Sequence, residues 1–288
     1  MSKSPKVLIL GNTGKLGLAL TSAFTGGYSV TGLNSKGFKA EDFAQTRKVI
    51  EEAKPDIVFN TVAFLGIDPS EKNPEAAFRL NVLFPKLLAE LSNELGFLLV
   101  HFSSDAVFDD GKGDRYVESD AARPVSIYGM TKYGGDCMIQ AWAKRYYIIR
   151  VSILFGETTK QTGQFVENMI QKIRDGAKAL KISGDIFASP TYSRDVGREV
   201  RRIVESGPDF GVYHVVNEGT ASLHDLIVEV VARIGAKDVK VEKVSHNDFP
   251  SIGKKNTKTA LNSEKIKLLR PWRDAVGEYC NGLNFIER

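Results

Sequence analysis

The sequence predicts an α/β fold, a doubly wound parallel sheet followed by a smaller C-terminal α/β lobe. Short apolar runs rich in β-forming residues alternate with helical patterns through the first half of the chain, as they do when helices wrap a parallel sheet. The second half is less regular, with polar turns between shorter runs. At 288 residues, one large domain with an appended lobe fits the length better than two equal halves.

The strands and helices follow from the hydrophobic pattern. Strands are predicted at residues 6–10, 28–33, 57–60, 97–102, 147–151 and 212–216, with a further short strand near residues 180–183. Leu16, Leu20 and Phe24 recur every four residues and give the first helix an apolar face. Further helices are predicted at residues 44–53, 74–95 and 196–204. One more helix opens at Ser222, which is expected to form a capping pair with Asp225.

The order of these elements predicts the domain boundaries. Residues 1–152 form the sheet domain, and residues 186–216, which contain the strand at 212–216, return to it. Residues 153–185 and 217–288 form the smaller lobe, which we expect to bind the substrate. Within the lobe, residues 156–163 are a polar stretch that we predict to be a loop.

Composition and charge exclude several classes of protein. The 39 basic and 35 acidic residues give a formal charge of +4 without a basic block, so no nucleic-acid partner is expected. Cys137 and Cys280 lack metal-ligand spacing and do not suggest a disulfide framework, which favours a reducing, cytoplasmic location. The apolar run at residues 7–10 is too short for a signal sequence or membrane span. The four histidines are scattered, so we predict no metal site.

A glycine-rich turn between the first strand and the first helix predicts a dinucleotide site. Its residues are Gly11, Asn12, Thr13, Gly14, Lys15, Leu16 and Gly17. The spacing is G-x-x-G-x-x-G, in the strand–turn–helix context that a Rossmann-type fingerprint requires. Glycine lets backbone N–H groups approach a pyrophosphate at the positive end of a helix. The simpler interpretation is a turn that binds nothing, and this context makes it the less favoured one.

The end of the second strand indicates which dinucleotide is bound. A carboxylate there accepts a hydrogen bond from the ribose 2′-OH and repels a 2′-phosphate, but residues 32–36 contain none. Asn34 and Lys36 are therefore predicted cofactor residues, and Lys36, Lys39 or Lys15 is expected to neutralise a phosphate. This favours NADP(H), with NAD(H) as the alternative cofactor. The simpler interpretation is that these lysines are merely solvated.

A tyrosine and a lysine four residues apart predict the catalytic site. Tyr128 and Lys132 share one face of a helix, and Ser104 follows the strand at residues 97–102, at the sheet edge where such folds bind ligands. A nearby cation favours the phenolate, so Lys132 is expected to lower the pKa of Tyr128 and make it a general acid. Both side chains are also expected to contact the cofactor. The simpler interpretation is an exposed helix face.

These motifs resemble the extended short-chain dehydrogenase/reductases and, among them, the dTDP-4-dehydrorhamnose reductase family. The matching stretches are residues 11–17, 42–43, 55–60, 100–108, 124–132, 150–152, 189–192 and 211–214. The resemblance implies NAD(P)H-dependent reduction of a keto group, at C4, on a nucleotide-activated deoxy sugar, with Ser104, Tyr128 and Lys132 as the triad. It also implies that Asp42 and Phe43 lie near the adenine and that Ala63 lies along the cofactor.

The same resemblance implies a substrate site that departs from the family pattern. Its expected residues are Asp105, Ala106, Ile153, Lys254 and Lys255. Ala106 and Ile153 stand where the family usually has aromatic residues, and Ile186 and Ala188 replace a Gln and a Gly. The lysine pair is expected to bind a diphosphate as point charges, or else to be merely exposed. The redox machinery matches the family, while the sugar pocket is altered.

Two other functions fit the same motifs. A sugar-nucleotide epimerase or dehydratase shares the fingerprint and the Tyr/Lys pair, although a dehydratase usually has an acid/base pair where this chain has Asp105 and Ala106. A non-catalytic, NADP-binding regulatory subunit, resembling that of methionine adenosyltransferase, is the third possibility. A symmetric homodimer is the default expectation for a soluble oligomer.

Overall fold

The computed structural model describes residues 4–159 and 164–283. Six strands form one parallel sheet: β1 Lys6–Leu10, β2 Ser29–Leu33, β3 Ile57–Asn60, β4 Leu98–Ser104, β5 Tyr146–Val151 and β10 Gly211–His214. Across the sheet their order is β10-β5-β4-β3-β1-β2, and every neighbouring pair is parallel. The predicted fold class is confirmed, and each predicted sheet strand lies within two residues of its expected bounds.

Helices cover both faces of this sheet. The helices of the described residues are α1 Lys15–Phe24, α2 Phe43–Ala53, α3 Ile67–Lys72, α4 Pro74–Phe78, α5 Phe84–Leu95, α6 Ile127–Trp142, α7 Phe165–Arg174, α8 Ser193–Ser206, α9 Leu223–Arg233 and α10 Trp272–Asn281. Alternate residues of β1 enter two separate cores. Val7 and Ile9 pack with α1 and α8, whereas Leu8 and Leu10 face the side of α2, α5 and α6. This alternation is what a sheet buried on both sides requires.

The helix predicted at residues 74–95 contains a π turn at Arg79–Leu83, between α4 and α5. The N–H of Phe84 bonds to the carbonyl of Arg79, five residues back. Pro85 has no N–H to donate to Asn81, so a widened turn at this point avoids a broken α-helical ladder. Helix α6 approaches the same turn closely, because a Cβ on Gly135 would lie 2.3 Å from the Asn81 carbonyl oxygen.

The smaller lobe is built on β7 Ala179–Ser183 and β13 Lys240–Val244, which form a parallel pair. Its apolar core joins side chains of α7, α9 and α10 to this pair. The remaining strands, which form two-stranded pairs, are β6 Leu154–Phe155, β8 Phe187–Ala188, β9 Thr191–Tyr192, β11 Asn217–Glu218, β12 Ala221–Ser222 and β14 Leu269–Pro271. The capping pair at the start of α9 is confirmed, since the Asp225 N–H donates to Ser222 Oγ at 3.0 Å and the Ser222 N–H to Asp225 Oδ2 at 3.2 Å.

The segment 186–216 contributes β10 and α8 to the sheet side of the molecule, with α8 packed on α1. The domain boundaries themselves stay a prediction. Of the predicted loop at residues 156–163, residues 160–163 lie outside the described residues. Within the described ranges, no helix combines the length and the apolar character needed to cross a membrane.

Candidate active site

A cavity of about 990 Å³ lies at the carboxyl ends of β1, β3, β4 and β5 and extends into the smaller lobe. Its volume is at the upper end of the range for small-molecule sites. The predicted site residues that line it are Gly11, Thr13, Gly14, Lys15, Leu16, Asn34, Ala63, Ser104, Asp105, Ala106, Tyr128, Lys132, Ile153 and Lys255. Those that do not are Asn12, Gly17, Lys36, Asp42, Phe43 and Lys254.

The glycine turn owes its shape to close backbone approaches. Gly11 has a φ of +91°, which favours glycine, and its N–H donates to the Leu33 carbonyl at the end of β2. A Cβ on Gly17 would lie 2.3 Å from the Gly11 carbonyl oxygen, so α1 can start here only with glycine at that position. Asn12 packs over Gly32 of β2 and points away from the cavity. The N-cap of α1, Gly14, carries no capping side chain, which leaves the helix start facing the cavity.

Lys15 is already paired within the protein. Its ammonium is 2.6 Å from a carboxylate oxygen of Glu167 on α7, and it donates to the Leu154 carbonyl at 3.0 Å and to Gln164 Oε1 at 2.9 Å. Burial lowers the pKa of Lys15, although Glu167 opposes the shift. Of Lys15, Lys36 and Lys39, Lys15 is therefore the least favoured to neutralise a phosphate. Lys15 instead links the glycine turn to the smaller lobe.

The cavity wall beyond β2 contains both signs of charge. The residues that line it are Asn34, Ser35, Lys39 and Glu41. Of the three lysines expected to neutralise a phosphate, Lys39 is the one that is exposed and also lines this wall. Lys36 is exposed and does not reach the wall. Glu41 brings a carboxylate to this wall from just beyond residues 32–36, the segment whose lack of an acidic residue favours NADP(H).

Asp42 and Phe43 serve the start of α2. Asp42 is its N-cap and accepts a hydrogen bond from the Gln45 N–H at 2.9 Å, while the Phe43 ring lies 6.5 Å from that of Phe84. The guanidinium of Arg79 lies 4.6 Å from the Phe43 centroid. Asp42 is thus a helix N-cap beside a partly buried aromatic residue, and contact of these two residues with an adenine stays a prediction.

The three predicted catalytic residues meet at the end of β4. Ser104 ends that strand, and it lines the cavity together with Tyr128 and Lys132. Ser126 caps α6 by accepting from the Gly129 N–H at 3.2 Å. A Cβ on Gly129 would lie 2.2 Å from the Ala106 carbonyl oxygen, so glycine at this position brings the first turn of α6 against the segment that follows Ser104.

The pKa of Tyr128 differs from the sequence expectation. Loss of contact with water raises the pKa of Tyr128 to about 12, with Ser104 opposing the shift and the Asp105 carboxylate adding to it. The Lys132 ammonium donates to the Phe102 carbonyl at 2.7 Å, and burial lowers the pKa of Lys132 to about 8. The net shift of the phenol pKa is therefore upward, opposite to the expected lowering, because burial dominates both groups.

A buried ion pair lies behind Lys132 and was missed in the sequence. Asp136, one helical turn after Lys132 on α6, accepts from Arg150 of β5, with both the Nε–Oδ2 and the Nη2–Oδ2 distances at 3.0 Å. Asp136 is fully buried and raises the pKa of Lys132, opposing the effect of burial. The spacing of four residues was the available signal, but it does not reveal that Arg150 lies opposite.

The substrate end of the cavity is mostly aliphatic. Its wall contains Leu65, Ile67, Ala106, Ile153, Ile186, Ala188 and Leu223, with Ser251, Lys255, Asn256 and Thr259 from the C-terminal part. The Lys255 ammonium donates to the Phe249 carbonyl at 3.1 Å. Lys254 is exposed and does not line the cavity, so the lysine pair is not presented as a unit. The sequence showed which aromatic residues are absent, but not that aliphatic residues of five segments line the wall instead.

Comparison with known proteins places this site in a family. Residues 5–285 match the family described as the RmlD substrate binding domain. The chain is similar to the spore coat polysaccharide biosynthesis protein SpsK of Bacillus subtilis, with 31% identity over 280 residues, 95% of this chain and 96% of the relative.

Solved structures agree with this placement. A dTDP-4-dehydrorhamnose reductase from Clostridium acetobutylicum aligns with a TM-score of 0.89 and 28% identity over 96% of this chain and 98% of its own. A dTDP-4-dehydrorhamnose reductase from Bacillus anthracis, in complex with NADP, shares the fold, with a TM-score of 0.89 and 24% identity over 96% of this chain and 99% of its own. With its fold and the family match over nearly its whole length, the chain belongs to the RmlD substrate binding domain family, within the extended short-chain dehydrogenase/reductases.

Proposed function

We propose that this protein is an NADPH-dependent reductase of a keto group, at C4, on a nucleotide-activated deoxy sugar. The observation that carries the proposal is the meeting of Ser104, Tyr128 and Lys132 in a cavity that also includes the glycine turn. Relatives bearing the name dTDP-4-dehydrorhamnose reductase support the same chemistry. The aliphatic sugar end leaves the identity of the deoxy sugar to experiment.

The residues present fit a dinucleotide. The uncapped start of α1 faces the cavity beside Thr13 and Gly14, and a Cβ on Gly14 would meet nothing closer than 3.6 Å, which leaves space for a pyrophosphate. Asn34, Ser35 and Lys39 would hold the adenosine ribose and its 2′-phosphate, and Ala63 would lie along the cofactor. Lys39 supports NADPH, while Glu41 on the same wall keeps NADH as the alternative.

The protein groups then act on the carbonyl. The cofactor held by the glycine turn would supply the hydride for the carbonyl carbon. Tyr128 donates its proton to the carbonyl oxygen, where negative charge develops, and Ser104 holds the phenol in place. Lys132, fixed against the Phe102 carbonyl, stabilises the phenolate that remains. Ile153 and Ile186 line the same cavity and add apolar surface to it.

The test is oxidation of NADPH and of NADH, followed by absorbance, with the purified protein and a panel of 4-keto-6-deoxy sugars linked to dTDP, UDP, GDP or CDP. Turnover with one of these substrates, and a higher kcat/KM with NADPH, is expected. An inactive protein that binds the cofactor tightly would overturn the proposal. A tightly held cofactor with isomerised sugar as product would indicate an epimerase, and absence of any product a regulatory subunit.

We further propose a cytoplasmic location and a homodimer. The thiols of Cys137 and Cys280 are free in the structure, which suits a reducing compartment. Symmetric dimers are the commonest soluble oligomers. Light scattering of the purified protein measures the mass of the assembly, and a monomeric mass would refute the dimer.

A further inference from the structure

We propose that Asp105 is a positioning residue for Ser104, which it ties to the C-terminal segment of the chain, and that it is not a substrate ligand. The inference rests on the proposed reductase function. It replaces the sequence expectation that Asp105 binds the sugar, because the structure engages both carboxylate oxygens with hydroxyl groups of the protein.

The contacts of Asp105 come from three separate parts of the chain. Its Oδ1 accepts a hydrogen bond from Ser104 Oγ at 3.0 Å. Its Oδ2 accepts from Ser152 Oγ, just after β5, at 2.6 Å, and from Thr259 Oγ1 at 2.9 Å. The residue is only 8% exposed. A buried carboxylate with three donors is satisfied by the protein itself, and a sugar hydroxyl would have to displace one of them.

The contact with Ser104 fixes the orientation of that side chain. A serine hydroxyl has one proton, and Ser104 uses it to donate a hydrogen bond to Asp105. The Ser104 oxygen in turn accepts a hydrogen bond from the Ala106 N–H at 3.2 Å. Together, these two partners select one side-chain torsion. In that torsion the Ser104 hydroxyl is close enough to Tyr128 to oppose the upward shift of the phenol pKa, and both side chains line the cavity. Asp105 thus acts on the reaction through Ser104 and, through Ser104, on the phenol.

Thr259 connects this arrangement to the wall of the sugar pocket. The segment 251–259 contributes Ser251, Lys255, Asn256 and Thr259 to the cavity wall. Besides Asp105, the segment is held by Asp68, which accepts from Ser251 Oγ at 2.7 Å, and by Asp110, which accepts from the N–H groups of Thr257 and Lys258, both at 2.7 Å. Of these three carboxylates, Asp105 is the one in contact with Ser104, so the seating of this segment and the orientation of the serine depend on the same group.

The experiment is a double-mutant cycle on kcat, with wild type, Asp105→Asn, Ser104→Ala and the double variant. An amide in place of the carboxylate presents a donor where an acceptor is needed, so Asp105→Asn is expected to lower kcat about ten- to hundredfold, the usual effect of losing a charge-assisted hydrogen bond. In the Ser104→Ala background the same change should alter kcat less than about twofold, because its route of action is gone. KM for the sugar nucleotide should stay within about twofold.

Asp110→Asn is the matched control. Asp110 holds the same segment, through Thr257 and Lys258, but makes no contact with Ser104. We expect it to leave kcat within about twofold of wild type. If Asp110→Asn reproduces the Ser104-dependent loss, the effect belongs to the seating of the segment and the proposal is overturned.

Two outcomes of the cycle would contradict the positioning role of Asp105. An equal loss from Asp105→Asn in both backgrounds, or a raised KM with unchanged kcat, would show that Asp105 acts on the substrate directly. If Asp105→Asn does not fold, Thr259→Val and Thr259→Ser take its place. Valine removes the hydroxyl that donates to Asp105 Oδ2, and serine restores it. The double-mutant cycle with Ser104→Ala is then run on Thr259→Val. A wild-type protein without turnover refutes the reductase function itself, and this result is distinct from an additive cycle in an active enzyme.

Discussion

The two ends of the cavity are built in different ways. The cofactor end consists mainly of backbone from one turn, residues 11–16, with side chains from the segment just after β2. The substrate end brings together side chains that are far apart in the sequence, from Leu65 to Thr259. A backbone cradle is encoded by a few glycines and tolerates little change, whereas a wall of side chains can be rebuilt one residue at a time. This difference is consistent with the sequence pattern, in which the redox motifs resemble the family more closely than the expected sugar pocket does.

Tyr128 lies where the two ends meet, and its variant should show the largest effect. Tyr128→Phe removes the proton donor without changing the ring, so kcat is expected to fall about 10²- to 10⁴-fold. NADPH affinity, measured by fluorescence, should stay within about twofold, because the cofactor end is unaltered. Unchanged turnover would remove Tyr128 from the mechanism and locate the proton donor elsewhere.

Gly17 and Gly14 test whether the cofactor end is fixed by its backbone. A Cβ on Gly17 would lie 2.3 Å from the Gly11 carbonyl oxygen and 2.5 Å from Asn12 Cα, so Gly17→Ala is expected to cost about 1–3 kcal/mol in the free energy of unfolding. Gly14→Ala should leave the unfolding curve of the cofactor-free protein unchanged, since its nearest neighbour is 3.6 Å away. It should still weaken NADPH binding. Equal stability losses in both variants would contradict this view of the turn.

Lys132 makes a pH-dependent contribution to stability with a definite sign. Its pKa is lowered to about 8 in the folded protein, from 10.5, because burial disfavours the charge. Between these two values the unfolded chain binds more protons than the folded one, so the contribution of Lys132 becomes more favourable as the pH rises, by about 1.4 kcal/mol per pH unit. Below pH 8 the residue is charged in both states, and the full cost of burying it persists.

The measurement is the difference in free energy of unfolding between wild type and Lys132→Met, followed from pH 7 to pH 10. The methionine variant does not titrate at this position, so the comparison cancels other groups. The difference should shift in favour of wild type above about pH 8. A flat difference over this range would mean that Lys132 keeps an ordinary pKa in the folded protein.

Lys39 and Glu41 test the choice of dinucleotide at the cofactor end. Lys39→Ala is expected to raise KM for NADPH about fivefold and to leave that for NADH unchanged, because an exposed lysine pairs weakly with a phosphate. Glu41→Gln should act in the opposite direction and improve the use of NADPH. Lys36→Ala is the control, since that side chain does not line the wall. An equal effect of Lys36→Ala would show that general charge, and not position, sets the preference.

Ile186 tests the substrate end, where a modest change in selectivity is expected. Ile186→Gln introduces the amide that the family has at this position, and we expect kcat/KM to change by about two- to tenfold in favour of more hydroxylated sugars. Turnover of the preferred deoxy sugar should remain measurable. Identical selectivity before and after the change would mean that the aliphatic wall does not contact the sugar.

The sequence by itself determined the strands of the sheet, the glycine turn, the Tyr128–Lys132 spacing and the capping pair Ser222–Asp225. Each of these depends on residues only a few positions apart, where backbone geometry and hydrophobic period act directly. The π turn before Pro85 has a sequence cause as well, although the proline permits several outcomes and the packing of α6 selects one.

Tertiary structure decided the rest of the site. Thr259 reaches Asp105 from 154 positions away, and Glu167 of the smaller lobe pairs with Lys15 of the glycine turn. The raised pKa of Tyr128 likewise depends on how much water the folded chain leaves around the phenol. No local pattern encodes these contacts, because burial and long-range pairing are set by how whole elements pack. The sequence therefore determines which groups are present, and the packing determines their partners, their solvation and their protonation.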